Sequence, residues 1–245
     1  MASLRNGLVT LAAVLLAGVL LVAGCSSSGS GDDAELSAEE VMVGAAAAMS
    51  EVTSAAFTIE QTGASIPIDD AGQLGFQAAD GRFAAPASAE ALITVDALGF
   101  TTEVGAVAID GTLWFTNPLS GEWTEAPDSF TFDPATVFDA ESGFPALLRE
   151  EAAGAEFVSG GEEPEDGDRH HLRTSVAAER VSVLTGGLVT SETDVDLWID
   201  RETERLSEVR FELALEQGVS SWQMTIDDYG ADVTIEPPEV GSAGG

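Results

Sequence analysis

The single cysteine of the chain, Cys25, closes an apolar N-terminal stretch that runs from Leu8 to Ala23. Arg5 precedes this stretch, and small residues stand directly before the thiol. This order is typical of a lipoprotein signal sequence, so we expect residues 1–24 to be removed and Cys25 to become the lipidated mature N-terminus. Because no second cysteine exists, the mature fold contains no disulfide and must be stabilised by a hydrophobic core.

Two other interpretations of this N-terminal stretch are weaker. A transmembrane anchor is disfavoured because about 16 apolar residues span about 24 Å, less than the ~30 Å hydrocarbon core of a bilayer. A buried structural thiol is disfavoured because the serines, glycines and aspartates of residues 26–33 follow it and do not pack. We therefore expect residues 25–35 to form a flexible tether that holds the protein at the extracytoplasmic face of the cell membrane.

The charge balance excludes one class of partner. The chain has 43 acidic and 9 basic residues, for a formal net charge of -34, and this charge repels nucleic acid. The mature length and the hydrophobic content of 44% suit one ordinary domain. We expect that domain over residues 36–238, followed by a flexible tail over 239–245.

The hydrophobic period changes along the mature chain. Ser37 and Glu40 form a capping-box pattern that predicts a helix from Ser37 to Ser54. From Ala56 the apolar residues alternate, and Asp110-Gly111 is typical of a tight hairpin turn. These features predict an antiparallel meander.

Helical spacing returns between Asp133 and Ala153, and strands follow. Strands are predicted over 170–176, 194–200, 209–216 and 222–226, with a short helix over 177–184 and an acidic loop over 160–168. Because helices and strands do not alternate regularly, the order predicts an α+β fold with helices gathered on one face of an antiparallel sheet.

From Ser37 to Pro238 the chain resembles the LppX/LprA/LprF/LprG family of bacterial cell-envelope lipoproteins. The motifs that carry the resemblance follow one another over nearly the whole mature chain. They are Val107-Ala108-Ile109-Asp110-Gly111-Thr112-Leu113-Trp114, Asp133-Pro134-Ala135, Gly143-Phe144-Pro145-Ala146-Leu147-Leu148, Val195-Asp196-Leu197-Trp198-Ile199-Asp200, Met224-Thr225-Ile226-Asp227-Asp228-Tyr229-Gly230 and Val233-Thr234-Ile235-Glu236-Pro237-Pro238.

The resemblance implies a half-barrel, in which helices lie on the concave face of a curved antiparallel sheet and enclose an apolar cavity. It also implies a carrier of acylated lipids or glycolipids across the cell envelope, with a membrane transporter as a possible partner. The chain differs from familiar members in its acidity and in the acidic loop over 160–168. Strand alternation and the helical motif give the expected lipid-binding residues, which are Ile93, Val95, Val104, Ala106, Ala108, Phe115, Leu147, Leu197, Val209, Phe211 and Leu213.

Little in the sequence points to catalysis, a metal or a cofactor. His170 and His171 are the only histidines, and adjacent strand residues face opposite sides of a sheet. No serine-nucleophile elbow, zinc-binding helix or phosphate-binding loop is present. We therefore expect a binding protein rather than an enzyme. The alternatives are an envelope interaction or regulatory lipoprotein with a filled core and no lipid ligand and, less favoured, a hydrolase.

Overall fold

A computed structural model describes residues 36–68, 72, 74–97, 99–118, 120–126, 134–158 and 167–240. The predictions for the signal sequence, for Cys25 and the tether, and for most of the acidic loop lie outside these residues.

The described chain contains three α-helices and eleven strands. The helices are α1 (Ala38–Ser50), α2 (Phe144–Glu150) and α3 (Ala178–Leu184), and short 3₁₀ turns lie at Pro134–Phe138 and Ala152–Gly154. The strands are β1 (Ser54–Gly63), β2 (Leu74–Ala84), β3 (Ser88–Ala97), β4 (Phe100–Ile109), β5 (Thr112–Thr116), β6 (Trp123–Glu125), β7 (Glu156–Phe157), β8 (Arg169–Val176), β9 (Thr193–Asp200), β10 (Leu206–Leu215) and β11 (Gly218–Asp227).

Helix α1 begins where the sequence predicts and ends earlier. The Ser37 hydroxyl accepts a hydrogen bond from the Glu40 backbone N–H at 3.2 Å, and the Glu40 carboxylate accepts one from the Ser37 N–H at 2.8 Å. The capping box is therefore confirmed. The predicted end at Ser54 is wrong, because the helix stops at Ser50 and Ser54 already pairs with Ala84 as the first residue of β1.

The strands form one antiparallel sheet in the order β6-β5-β4-β3-β2-β1-β11-β10-β9-β8-β7. Two meanders make up this sheet, and they are joined where β1 pairs with β11. The sheet is curved and unclosed, which confirms the predicted α+β half-barrel class. The Asp110-Gly111 hairpin is also confirmed, since both residues have the positive φ values of 50° and 80° that a type I′ turn requires.

The main core lies between the sheet and the helices on one of its faces. Helix α1 buries Val41, Met42, Ala45 and Met49 against α2 and the sheet. Burial of this apolar stripe, rather than intrinsic helix propensity, stabilises a helix of this length. Among the described helices, none has the length and apolar character needed to cross a bilayer.

Candidate functional site

The candidate site is the face of the sheet on which α1 and α2 pack, which we call the inner face. Cross-strand register assigns each strand residue to a face: Phe57 lies opposite Gly81 and Ile226, and Phe57 and Ile226 belong to the core. By the same register, all ten strand residues predicted to bind lipid lie on the inner face. They are Ile93, Val95, Val104, Ala106, Ala108, Phe115, Leu197, Val209, Phe211 and Leu213.

Burial divides the predicted residues into two groups. Val95, Ala108, Leu147, Leu197, Val209 and Leu213 are buried by protein atoms, and Leu147 reaches this core from α2. Ile93, Val104, Ala106, Phe115 and Phe211 remain partly exposed. The first group is buried in the protein interior, and the second group retains surface that solvent can reach.

Further apolar side chains on the inner face are also partly exposed, and four of them that adjoin these residues were not among the residues predicted from the sequence. They are Ile59, Ala91, Trp222 and Met224. Register places Ile59 opposite Met224, and Ile93 opposite Val104. Together with the five partly exposed residues above, these four form a band across the sheet from β5 to β10, which we call the inner band.

A cluster of aromatic rings packs on the inner face beside this band. Phe138, from the 3₁₀ turn, stacks on Phe83 with ring centroids 4.5 Å apart. Its ring lies 6.3 Å from both Phe57 and Phe144, and the contact with Phe144 is edge-on. Phe57 in turn covers Gly81, where a side-chain Cβ would come within 2.3 Å of the ring. This aromatic cluster packs near the Ser54 end of β1 and the Ala84 end of β2.

Trp222 lies in the β11 part of the inner band, beside Phe211 of β10. Its indole stacks between Phe76 and Phe211, with centroid distances of 5.0 Å and 5.9 Å. The indole N–H donates to the hydroxyl of Ser220 at 3.0 Å, and the Gln61 amide donates to the same oxygen at 3.0 Å. Because Ser220 is fully buried, these bonds satisfy a hydroxyl that would otherwise be costly to bury.

A polar depression of about 420 Å³ opens beside Phe76. It lies where β1 stops pairing with β2 after Glu60, and a bulge at Gln77 interrupts the pairing of β2 with β3. Its lining consists of Gln61, Thr62, Gly63, Ser65, Phe76, Gln77 and Asp96. This lining contains no cation, so the depression can accept hydroxyl groups but does not attract an anion.

The opposite face of the sheet, the outer face, carries most of the charged contacts. Trp198 lies between the His171 ring, 4.1 Å away, and the Arg210 guanidinium, 4.6 Å from the indole centroid. His171 Nε2 lies 2.9 Å from the carboxylate of Asp196, which also binds Arg173 at 2.7 Å. These contacts pair the side chains of His171, Arg173 and Asp196 beside the Trp198 ring.

The two histidines face opposite sides of β8, as predicted. His170 lies on the inner face against Phe157, with a centroid distance of 5.7 Å. Burial lowers the pKa of His170, and the nearby charge of Arg201 lowers it further. In the described part of the chain, no three His, Cys, Asp or Glu side chains are grouped to hold a metal ion.

A family model identifies the family of this chain, and two solved structures share its fold. The family model for LppX_LprAFG lipoproteins matches residues 37–235. The chain is similar to LprF from Mycobacterium bovis, with 15% identity and a TM-score of 0.62 over 83% of this chain and 97% of that chain. It is also similar to the Mycobacterium tuberculosis lipoprotein LppX, with 18% identity and a TM-score of 0.55 over 81% of this chain and 98% of that chain. No curated protein sequence matches significantly.

Proposed function

We propose that this chain, which belongs to the LppX_LprAFG lipoprotein family, binds the acyl chain of a lipid or glycolipid along the inner band and carries it through the cell envelope. The observation that carries the proposal is the partial exposure of the inner band. Ile93, Val104 and Phe115 lie on the inner face by register, yet protein atoms cover them only in part. A core that served stability alone would cover these side chains.

Removal of an acyl chain from a bilayer costs free energy, and an apolar surface on the carrier must offset that cost. A 16-carbon chain that leaves a bilayer loses about 0.8 kcal/mol per CH₂, or on the order of 12 kcal/mol. The inner band crosses the strands from β5 to β10, six strand spacings or about 29 Å. One leaflet is about half of the ~30 Å hydrocarbon core, so the band is long enough to take up an acyl chain from it.

The proposed anchor determines where the carrier acts. Lipidation at Cys25 would hold the domain at the extracytoplasmic face of the membrane, where it would collect its ligand. The eleven residues from Cys25 to Glu35 span at most ~36–40 Å when extended, so the domain stays close to the bilayer. A membrane transporter is a possible partner in delivery. Binding of this kind needs no catalytic group.

One alternative has a specific observation in its favour. Six of the eleven residues predicted to bind lipid are buried by protein atoms, including Leu197 and Val95. An envelope interaction or regulatory lipoprotein with a filled core would bury the same residues. The two functions predict different contents of the purified protein: a bound lipid for the carrier, and no lipid for the protein with a filled core.

Native mass spectrometry of the domain without residues 1–25 tests the proposal. We expect the purified domain, after incubation with lipid vesicles, to carry one or more acylated lipids that denaturation releases. Tandem mass spectrometry then identifies the headgroup and the number of acyl chains. A domain that stays folded and takes up no lipid from vesicles of any composition supports the filled-core alternative.

A further inference from the structure

The strand ends of the sheet form two rims. The upper rim contains the ends of β1 at Gly63, β4 at Phe100 and β11 at Gly218, and the lower rim contains the ends at Ser54, Ile109 and Asp227. Antiparallel pairing places the three members of each set at the same end of the sheet.

The upper rim carries exposed apolar side chains. Phe100, at the first position of β4, is 77% exposed, and Val219, in the hairpin of β10 and β11, is 51% exposed. In the described turns of the lower rim no large apolar side chain is exposed, and Phe157, where the edge strand β7 ends toward that rim, is 43% exposed. Those turns present Asp110, Arg201 and Glu202 to solvent, and the upper-rim turn between β10 and β11 presents Glu216. A single exposed apolar side chain is ordinary on a protein surface, so Phe100 indicates an apolar partner only together with the apolar side chains that adjoin it.

Phe100 is continuous with the candidate site. It lies in the inner-face register of β4, opposite Ala97 of β3. Along β4, exposure on this face rises from Ala108, which is 1% exposed, through the partly exposed Val104 to Phe100. The inner band therefore leads to the rim without an intervening charged side chain.

We propose that the upper rim, through Phe100, inserts into the lipid bilayer and that acyl chains enter the inner band along β4. This inference rests on the proposed carrier function and adds the place where the ligand is loaded. The partner is a bilayer because the rim presents an apolar ring, whereas the net charge of -34 opposes attraction to anionic surfaces. Phosphatidylcholine vesicles, which carry no net charge, are therefore the matched probe.

A fluorescent label tests the contact in the full lipidated protein. Cys25 is the only native cysteine and is consumed by lipidation, so Phe100→Cys introduces a single free thiol for an environment-sensitive fluorophore. Glu202→Cys, on an exposed turn of the lower rim, is the matched control. In phosphatidylcholine vesicles we expect several-fold brighter emission at position 100 than at 202, and quenching only at position 100 by spin-labelled lipid. Equal, water-like emission at both positions overturns the proposal.

A transfer assay tests the loading route. We expect Phe100→Ser to slow lipid transfer from donor vesicles several-fold while the amount of lipid bound at equilibrium stays unchanged. Leu92→Ser, which removes a 46% exposed apolar side chain from the outer face of β3, should leave the rate unchanged. An unaltered rate in Phe100→Ser overturns the loading route. If the unmodified protein binds no lipid while the label at 100 lies in the bilayer, the carrier function fails and the membrane contact stands.

Discussion

The ring of Phe57 lies directly over Gly81 on the neighbouring strand, so close that a Cβ at position 81 would be 2.3 Å from the ring carbon Cζ. The same Cβ would lie 2.5 Å from the backbone oxygen of Glu90 on β3. Because residue 81 has no side chain, the Phe57 ring packs against the surface of the sheet and also contacts the Phe138 ring.

Gly81→Ala should therefore destabilise the protein. The backbone oxygen of Glu90 cannot move away without disturbing the pairing of β2 and β3, so we expect an overpacking cost of about 1–3 kcal/mol. For a domain of this size each kcal/mol lowers the melting temperature by about 2–4 °C. Thermal unfolding followed by circular dichroism measures the change, and an unchanged melting temperature contradicts the packing described for Phe57.

The same substitution in α1 should have the opposite sign. At Gly44 a Cβ would meet only the end of the exposed Glu204 side chain, at 3.1 Å, and this flexible group can move. Replacing glycine by alanine inside a helix gains about 0.5–1 kcal/mol. We expect Gly44→Ala to raise the melting temperature slightly, and a clear decrease would show that Glu204 cannot adjust.

Removal of the helix cap should cost a moderate amount of stability. Ser37→Ala removes the acceptor for the Glu40 N–H and leaves the Glu40 carboxylate with the Ser37 backbone N–H alone. Loss of such a cap costs about 1 kcal/mol. Urea unfolding of Ser37→Ala beside Glu39→Ala, an acidic first-turn residue outside the capping box, separates loss of the cap from loss of charge. Equal effects of the two substitutions would count against a specific role for the cap.

The sequence predicted the start of α1 better than its end. Ser37 and Glu40 are a local signal, and their hydrogen bonds form as expected. The end depends on Ser54, which joins β1 by pairing with Ala84 and whose hydroxyl donates to the backbone oxygen of Ala231. No glycine or proline marks that position, and the partners lie 30 and 177 residues away. Strands β6 and β7, of three and two residues, are too short to show a hydrophobic period.

The carboxylate of Asp200 makes the free energy of unfolding depend on pH. Its carboxylate accepts hydrogen bonds from the backbone N–H of Thr203 at 2.7 Å and of Glu202 at 3.1 Å, and from the Thr203 hydroxyl at 2.8 Å. The Thr203 backbone bond, above all, lowers the pKa of Asp200. The pKa of Asp200 is therefore lower in the folded protein than in the unfolded chain, where it is about 3.9. The ionised carboxylate stabilises the folded state at pH values above the unfolded pKa, and this stability is lost as the pH falls through the folded pKa.

We expect the stability difference between the unmodified protein and Asp200→Ala to be constant between pH 5 and pH 7, taking the unfolded pKa as about 3.9, and to shrink below that pKa. Urea unfolding at several pH values measures this difference, in which the titration of other carboxylates cancels to first order. A difference that grows on acidification would mean that the hydrogen bonds favour the protonated form of Asp200.

For the candidate site, the sequence predicted which face each side chain occupies but not how far it is covered. Alternation placed Ile93, Val104 and Leu197 correctly on one face, since strand period is a local property. Burial instead depends on where α2 and Phe138 lie, and these positions are set by distant contacts. Trp222 and Met224 belong to an alternating segment as well, and their pairing with Gln61 and Ile59 shows that they face the same side.

Ile93 and Leu92 offer the sharpest test of lipid binding, because they are neighbours on β3 that face opposite sides of the sheet. Ile93 belongs to the inner band, whereas Leu92 is exposed on the outer face. Ile93→Trp should fill the space that an acyl chain would occupy and abolish lipid co-purification with little change in melting temperature. Leu92→Trp adds the same indole outside the band and should leave lipid loading intact. If Ile93 instead lay in a solid core, the larger side chain would cost about 1–3 kcal/mol and lower the melting temperature by several degrees. That result, with lipid loading unchanged, would remove the physical basis of the carrier proposal.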